Sequence, residues 1–550
     1  MTRQDAPRSR RNVRHALEVG QRVELTVGGY TADGLGNGVV EGTRLHTPGV
    51  AVGDRVELRV DHLSQHEHHG WGTVTRVLER GPGFRQPACP HAAPIRGRCG
   101  GCSLMHLELI SQRAIKLAAV NDALKGLPGA RQIDALEQAA GEPADGFGYR
   151  NRSNYVAFRD TQGTLHLGSF APRTHEHARM DGCKVNLPLV EEVSRHVESV
   201  LRTRNIPVHP VRDGVRYVTV RGTGTGQAAV DLVLTQRQPR WLDATVEAIM
   251  THPQVRGVSV NVNKGRGNAI RNDSSTTVAG STLVDERMGS LRLEVAAEGF
   301  FQLNQPVAAA MYNAAAAWLH QPGVVWDMYC GVGGLGLTVA RQHPDAQLYA
   351  AELSPGSVHL ARRNARANGV DARIEVADLG KRVPQGWPQP TTVLVNPPRK
   401  GLDERVMKLL QELRPARIVY MSCNPESLAR DLKALVGPRN DRYRVARAAA
   451  WDMMPQTPHV EALVLLEKQK PAERMIYRTE RGRGPGSDSG GGAARPVGSG
   501  QGAWDGGTSS SGARRGAGRG DQRGGPGGRG GSGGRGGSGG RGGSGGRGRK

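Results

Sequence analysis

Cys423 stands in Met421-Ser422-Cys423-Asn424-Pro425, directly after the apolar run Arg417-Ile418-Val419-Tyr420. A thiol at the end of a predicted strand, on a tight Asn-Pro turn, is where an α/β enzyme presents a nucleophile. A thiolate is soft and strongly nucleophilic, so it can add to an electron-poor ring carbon such as C6 of a pyrimidine. The addition makes C5 enolate-like and able to take a methyl group. A base must then remove the C5 proton, after which the thiolate is eliminated. Glu461 closes Asp452-Met453-Met454-Pro455-Gln456-Thr457-Pro458-His459-Val460-Glu461 and precedes the apolar run Ala462–Leu466, which makes it the candidate base. Nearby His459 reads as structural, and Cys330 as a small packing residue.

A methyl donor needs its own site, and a glycine-rich loop supplies one. Val324-Val325-Trp326-Asp327-Met328-Tyr329-Cys330-Gly331-Val332-Gly333-Gly334-Leu335-Gly336 runs from a predicted strand into a predicted helix. Gly331, Gly333 and Gly336 have the spacing of a dinucleotide loop, where glycine lets the backbone turn sharply and approach a ligand. The next strand ends at Glu352, whose carboxylate can accept both hydroxyls of a ribose. A nicotinamide dinucleotide and S-adenosylmethionine both fit that pattern. Three details favour S-adenosylmethionine: Asp327 as counter-charge for an ammonium, Asp378 after the third strand for an adenine amine, and the Asn396-Pro397-Pro398 turn after the fourth.

Positioning these groups takes several units. Chain length, 550 residues, implies two to four domains. Residues 1–15 read as a disordered basic arm. Residues 16–80 alternate with period two between glycine-rich turns, as in Arg22–Val27, Gly38–Val40, Arg55–Val60 and Gly72–Leu78, and predict a small β-barrel. Residues 81–290 mix helical and strand patterns and predict a central α+β domain. From 291 to 470 strands and amphipathic helices alternate, which predicts a doubly wound parallel sheet of Rossmann-like α/β type. From 471 the chain is dominated by Gly, Arg and Ser, with Arg529, Arg535, Arg541 and Arg547 at a six-residue period; such a tail cannot bury a core and reads as a disordered RNA tether.

Charge agrees with a polyanionic partner. There are 74 Lys and Arg against 51 Asp and Glu, a net +23. The excess is spread over body and tail, which favours nucleic acid over membrane. No apolar stretch is long enough to span a bilayer, and the N-terminus lacks the apolar core of a secretory signal. Six cysteines do not make a disulfide framework, and a reducing cytoplasm is the natural compartment. Four of them group as Cys89, Cys99 and Cys102, with Cys183 downstream. Four thiolates, two in CxxC, can hold zinc or an iron–sulfur cluster, and spacing alone leaves both open.

Asp327-Met328-Tyr329-Cys330-Gly331, Ser422-Cys423-Asn424-Pro425 and Pro455-Gln456-Thr457…His459-Val460-Glu461 together resemble the RNA uracil-C5 methyltransferase family. The resemblance implies that Cys423 is the nucleophile and Glu461 the base, and that Gln302, Tyr329, Glu352 and the Asn396 position contact S-adenosylmethionine. The ribosomal RNA branch is similar in having an N-terminal TRAM-like barrel and a [4Fe–4S] cluster held by Cys-x5-Cys-Gly-Gly-Cys and a distant cysteine. That implies a cluster, ahead of zinc, on Cys89, Cys99, Cys102 and Cys183, although nine residues fill the first gap here. It also implies a 23S ribosomal RNA substrate, with transfer RNA as the alternative. The family usually has aspartate where this chain has Asn396. Asn396-Pro397-Pro398 therefore also resembles exocyclic-amine methyltransferases, a second expectation. A non-catalytic RNA-binding ribosome-assembly factor is the third. A monomer is the default.

Overall fold

The computed structural model describes residues 13–469 except 93–97, 173, 266–268, 273–274 and 437–441. Most of the expected basic arm and the whole Gly/Arg-rich tail lie outside the described residues.

The catalytic candidates sit on a seven-stranded sheet built from β1 (Val324–Asp327), β2 (Gln347–Glu352), β3 (Ala372–Val376), β4 (Thr392–Val395), β5 (Arg417–Ser422), β6 (Tyr443–Trp451) and β7 (Glu461–Lys468). Its helices are α1 (Gly334–Gln342), α2 (Pro355–Ala367), α3 (Glu404–Leu413) and α4 (Pro425–Val436). β4 is buried at all four positions, and β5 and β7 are nearly so, as expected of strands covered on both faces. Local chemistry sets the helix starts. Ser354 Oγ accepts from Ser357 N at 3.3 Å with Pro355 in the first turn, and Asp403 accepts from the N–H groups of Arg405 and Val406 at 3.0 Å each.

Strand order is β3-β2-β1-β4-β5-β7-β6. β1 to β5 run parallel, but β7 is antiparallel to both β5 and β6. The sheet is therefore mixed, where the sequence predicts a doubly wound parallel one. Parallel neighbours need a long crossover, whereas the short loop 452–460 returns the chain directly, so β7 enters reversed. The order reverses between β1 and β4, and such a switch point opens a crevice at the carboxyl ends of the strands.

Two other sheets precede this one. Residues 22–79 form a six-stranded sheet ordered Arg22–Thr26, Arg55–Leu63, His69–Glu79, Thr43–Thr47, Gly36–Val40, Gly29–Tyr30. It curls back on itself: a Cβ on Gly38 would lie 2.3 Å from the Thr26 carbonyl oxygen, so glycine is needed where the strands close in. The central sheet also has seven strands, with Arg152–Arg159 paired to Val215–Gly222 near its middle, and helices Pro188–Thr203 and Leu242–Met250 cover it.

Two expected boundaries move. Leu283–Met288 pairs with Leu291–Ala296 as a hairpin, so a division at 290/291 would cut a paired unit. Helix Leu109–Leu124 joins the catalytic core instead of the central domain. Its Val120 and Leu124 share a buried cluster with Leu428 and Leu432 of α4. Each fully buried leucine there contributes about 1.5–3 kcal/mol. No described helix is long and apolar enough to cross a membrane.

Candidate active site

Strand register brings the thiol and the carboxylate together. In the β5–β7 ladder Ser422 pairs with Ala462, so Cys423 and Glu461, one step further on each strand, face each other at the same end. They are 38 residues apart in sequence. The thiol turn is closely held. Asn424 N donates to Ser422 Oγ at 3.2 Å, and the Asn424 side chain accepts from Glu426 N at 3.1 Å, capping α4. Asn424 Nδ2 also donates to Arg399 O at 2.9 Å, which ties this turn to the loop after β4.

That loop is anchored from below. Asp431, 2 % exposed, accepts from Tyr420 OH at 2.6 Å and from Leu402 N at 2.8 Å, and Arg430 Nη2 donates to Lys400 O at 2.7 Å. Arg399 consequently reaches over the site. Its guanidinium donates to His459 Nε2 at 3.0 Å, and its charge stands close enough to the Cys423 thiol to favour the thiolate.

Burial dominates the electrostatics. Glu461 is 4 % exposed, and its Oε2 has no hydrogen-bond partner among the described residues. Desolvation pushes its pKa up to about 8, while Arg399 pulls the other way. Cys423 is pushed up to about 11, first by burial and then by the Glu461 charge, with Arg399 again opposing. His459 is driven down to about 3 by burial and by Arg399, Lys116 and Arg150, so it is neutral and accepts. The free site therefore holds a protonated thiol beside a carboxyl group poised near neutrality.

A cavity of about 1600 Å³ joins this pair to the switch point. Of the ten residues proposed from sequence for catalysis or methyl-donor binding, eight line it: Gln302, Tyr329, Gly331, Glu352, Asp378, Asn396, Cys423 and Glu461. Glu352 Oε2 accepts from Gly331 N at 3.2 Å, and its Oε1 from Ser354 N at 3.0 Å. Asp378 sits at the cavity edge, paired with Lys381 at 3.1 Å, which lowers its pKa. Gln302 is buried, and its backbone carbonyl accepts from Asn151 Nδ2 at 2.8 Å.

Asp327 and Gly333 are absent from the wall. Asp327, 1 % exposed, lies under the loop and accepts from Gly336 N at 3.0 Å; a Cβ on Gly336 would come within 2.7 Å of that carboxylate. It acts here as the brace of the loop, not as an exposed counter-charge, and burial raises its pKa to about 7. Gly333 has φ +98° and starts α1, a backbone role that a side chain would strain. Sequence reasoning missed Arg399, although its place directly after Asn396-Pro397-Pro398 was a readable signal. It also missed Lys116 and Gln112, which reach the 452–457 loop from 336 to 344 residues away and leave no local signature.

The four cysteines converge from separate loops. Cys102 is half-buried, and desolvation first, then the thiolates of Cys183, Cys99 and Cys89, push its pKa well up. Cys183 is raised to about 11, with Cys99 contributing. Gly101 N donates to Cys99 Sγ at 3.3 Å. Four soft thiols with one another as neighbours suit zinc or an iron–sulfur centre in chemistry. Among the described residues, however, no three His, Cys, Asp or Glu side chains are arranged to hold a metal ion.

The mostly parallel sheet with its switch-point crevice and glycine loop defines a nucleotide-type methyltransferase fold. The solved tRNA (uracil-54, C5)-methyltransferase of Pyrococcus abyssi, determined with S-adenosyl-L-homocysteine, shares the fold at TM-score 0.64 and 24% identity, over 80% of this chain and 99% of that one. Residues 388–469 match the tRNA (Uracil-5-)-methyltransferase family, and residues 312–416 match the methyltransferase small domain. An RNA methyltransferase of Halalkalibacterium halodurans, described as uncharacterised, is 30% identical over 482 residues, covering 85% of this chain and 99% of that protein. A second so described, from Parasynechococcus marenigrum, is 30% identical over 459 residues, covering 82% and 96%. The chain belongs to the RNA uracil-5-methyltransferase family, whose members use S-adenosylmethionine.

Proposed function

We propose that this chain methylates C5 of a uridine in RNA, 23S ribosomal RNA first, through a covalent adduct between Cys423 and C6. The observation that carries the reading is the β5–β7 register, which sets Cys423 opposite Glu461 in one cavity with the glycine loop. S-adenosylmethionine supplies an electrophilic methyl on sulfonium sulfur. Gln302, Tyr329, Gly331, Glu352, Asp378 and Asn396 would hold it, with Asp327 and Gly333 shaping the loop.

The residues act in sequence. Cys423 first gives its proton to solvent, and Arg399 stabilises the thiolate left behind. The sulfur bonds to C6, and the C5–C6 electron pair shifts toward the ring carbonyl. C5 then takes the methyl group. Glu461 removes the C5 proton, those electrons restore the C5–C6 double bond, and the C6–S bond breaks to return the thiolate. A carboxylate with a pKa near 8 is matched to that task at neutral pH.

The curled N-terminal sheet fits a TRAM-like RNA-binding module, and the four convergent cysteines fit a [4Fe–4S] cluster on Cys89, Cys99, Cys102 and Cys183. Both features support ribosomal RNA through the family resemblance. Transfer RNA is the second substrate reading, because the Pyrococcus abyssi fold relative is named for it. The test is to incubate the purified full chain with S-adenosylmethionine and either 23S or transfer RNA transcripts, then identify the product nucleoside by mass spectrometry. The reading expects 5-methyluridine from the 23S transcript. Methyl on an exocyclic amine would support the Asn396-Pro397-Pro398 alternative, and product from transfer RNA alone would replace the substrate.

A further inference from the structure

The loop that delivers Glu461 is held from outside its own sheet. Helix Leu109–Leu124 presents Gln112 and Lys116, one turn apart and both 0 % exposed, to residues 452–456. The Lys116 ammonium pairs with Asp452 and donates to Met454 O at 3.2 Å. Gln112 and Gln456 bond reciprocally: Gln112 Oε1 accepts from Gln456 N at 2.9 Å, and Gln112 Nε2 donates to Gln456 Oε1 at 3.3 Å. Gln456 has φ +69°, a left-handed conformation costly for a side chain other than glycine. Tyr149 OH adds a bond to Pro455 O at 2.9 Å.

Stability alone is a poor reason for this arrangement. A buried ion pair repays its desolvation only with excellent geometry and fully satisfied partners, and apolar residues of similar volume often do as well. Here Asp452 Oδ2 has no hydrogen-bond partner among the described residues. What the clamp does achieve is placement. Met453 and Met454 line the cavity, His459 receives Arg399, and Glu461 stands two residues beyond His459.

We propose that Lys116 and Gln112 are positioning residues for the proton-removal step, fixing the 452–457 loop so that Glu461 stays opposite Cys423. The inference rests on Glu461 being the base. It implies that loosening the clamp slows breakdown of the covalent adduct while leaving its formation nearly intact.

The test follows both steps in the full-length protein. Lys116→Met, Gln112→Ala and the volume-filling pair Lys116→Met with Asp452→Leu are compared with wild type, each checked for S-adenosylmethionine affinity. With ordinary uridine RNA, turnover should fall about 10- to 100-fold, the scale expected of a misplaced catalytic group, and the protein–RNA adduct should accumulate. With 5-fluorouridine RNA, where fluorine replaces the proton to be removed, the rate of adduct formation should stay within about twofold of wild type, well inside one power of ten. Turnover and adduct formation falling together would mean a merely structural role and overturn the inference. So would unchanged turnover in the apolar pair variant. Glu461→Gln separates the two levels. If that variant accumulates adduct and the clamp variants do not, the positioning role alone fails; if Glu461→Gln does not accumulate it, the base assignment fails.

Discussion

The chain has two cysteine centres, and they are built by opposite means. Cys423 is placed by a β-ladder: once β7 enters antiparallel to β5, the partner of Ser422 is fixed and Glu461 follows. Cys89, Cys99, Cys102 and Cys183 are placed by loops, and the described residues around them leave no closed ligand group. Hydrogen-bonded register transmits position to within a residue, whereas a loop needs a bound group or dense packing to do so. The ladder fixes the first centre. The second, with the cluster proposed for it, is the kind of site that metal binding organises.

The largest effect that would sharpen this contrast is at the base. Glu461→Gln should lower turnover by roughly 10²–10⁴-fold, measured by methyl incorporation into RNA, and leave iron content unchanged. Arg399→Met comes next. Arg399 opposes the upward shifts of both Cys423 and Glu461, so its loss should cost roughly 10- to 100-fold in kcat/KM, equivalent to one or two charge-assisted hydrogen bonds. It should also move the alkaline rise of the pH–rate profile to higher pH. Cys102→Ser should abolish iron binding, read by absorbance and metal analysis, while altering S-adenosylmethionine affinity by less than about twofold, a small fraction of one hydrogen bond. A large loss of cofactor affinity in that variant would break the separation of the two centres.

Stability carries a smaller signature. Burial raises the Glu461 pKa from 4.5 to about 8, so the folded state holds a proton that the unfolded chain releases. The stability contribution of this group is full below pH 4.5 and is lost as pH rises through 8. Glu461→Gln should therefore raise Tm by an amount that is near zero in acid and largest above pH 8, as a thermal-melt series would show. Smallest of all, Ser354→Ala removes the cap of α2 and should cost about 1 kcal/mol.

How much of this could be read from sequence follows the same division. The strand–helix alternation from 291 and the end of β2 at Glu352 were legible, because apolar strands and amphipathic helices are local signals. Cys423 and Glu461 were legible as strand-end groups. β6 was not, since its Ala-rich end and charged middle lack a clean period, and without β6 the reversal of β7 could not be foreseen. Asp327 was read correctly as beside the loop but on the wrong side of it. Only the fold shows Gly336 close enough to receive it as a brace. Lys116 and Gln112 were invisible because their partners lie more than 300 residues away.

Covalent chemistry at Cys423 is the central claim, and trapping tests it most directly. The full chain is incubated with S-adenosylmethionine and 5-fluorouridine RNA, and the denaturant-stable complex is digested and mapped by mass spectrometry. A methylated fluorouridine adduct on the peptide carrying Cys423, absent from Cys423→Ala, is the expected result. An adduct that persists in Cys423→Ala, or RNA methylation by that variant at the wild-type rate, would contradict it.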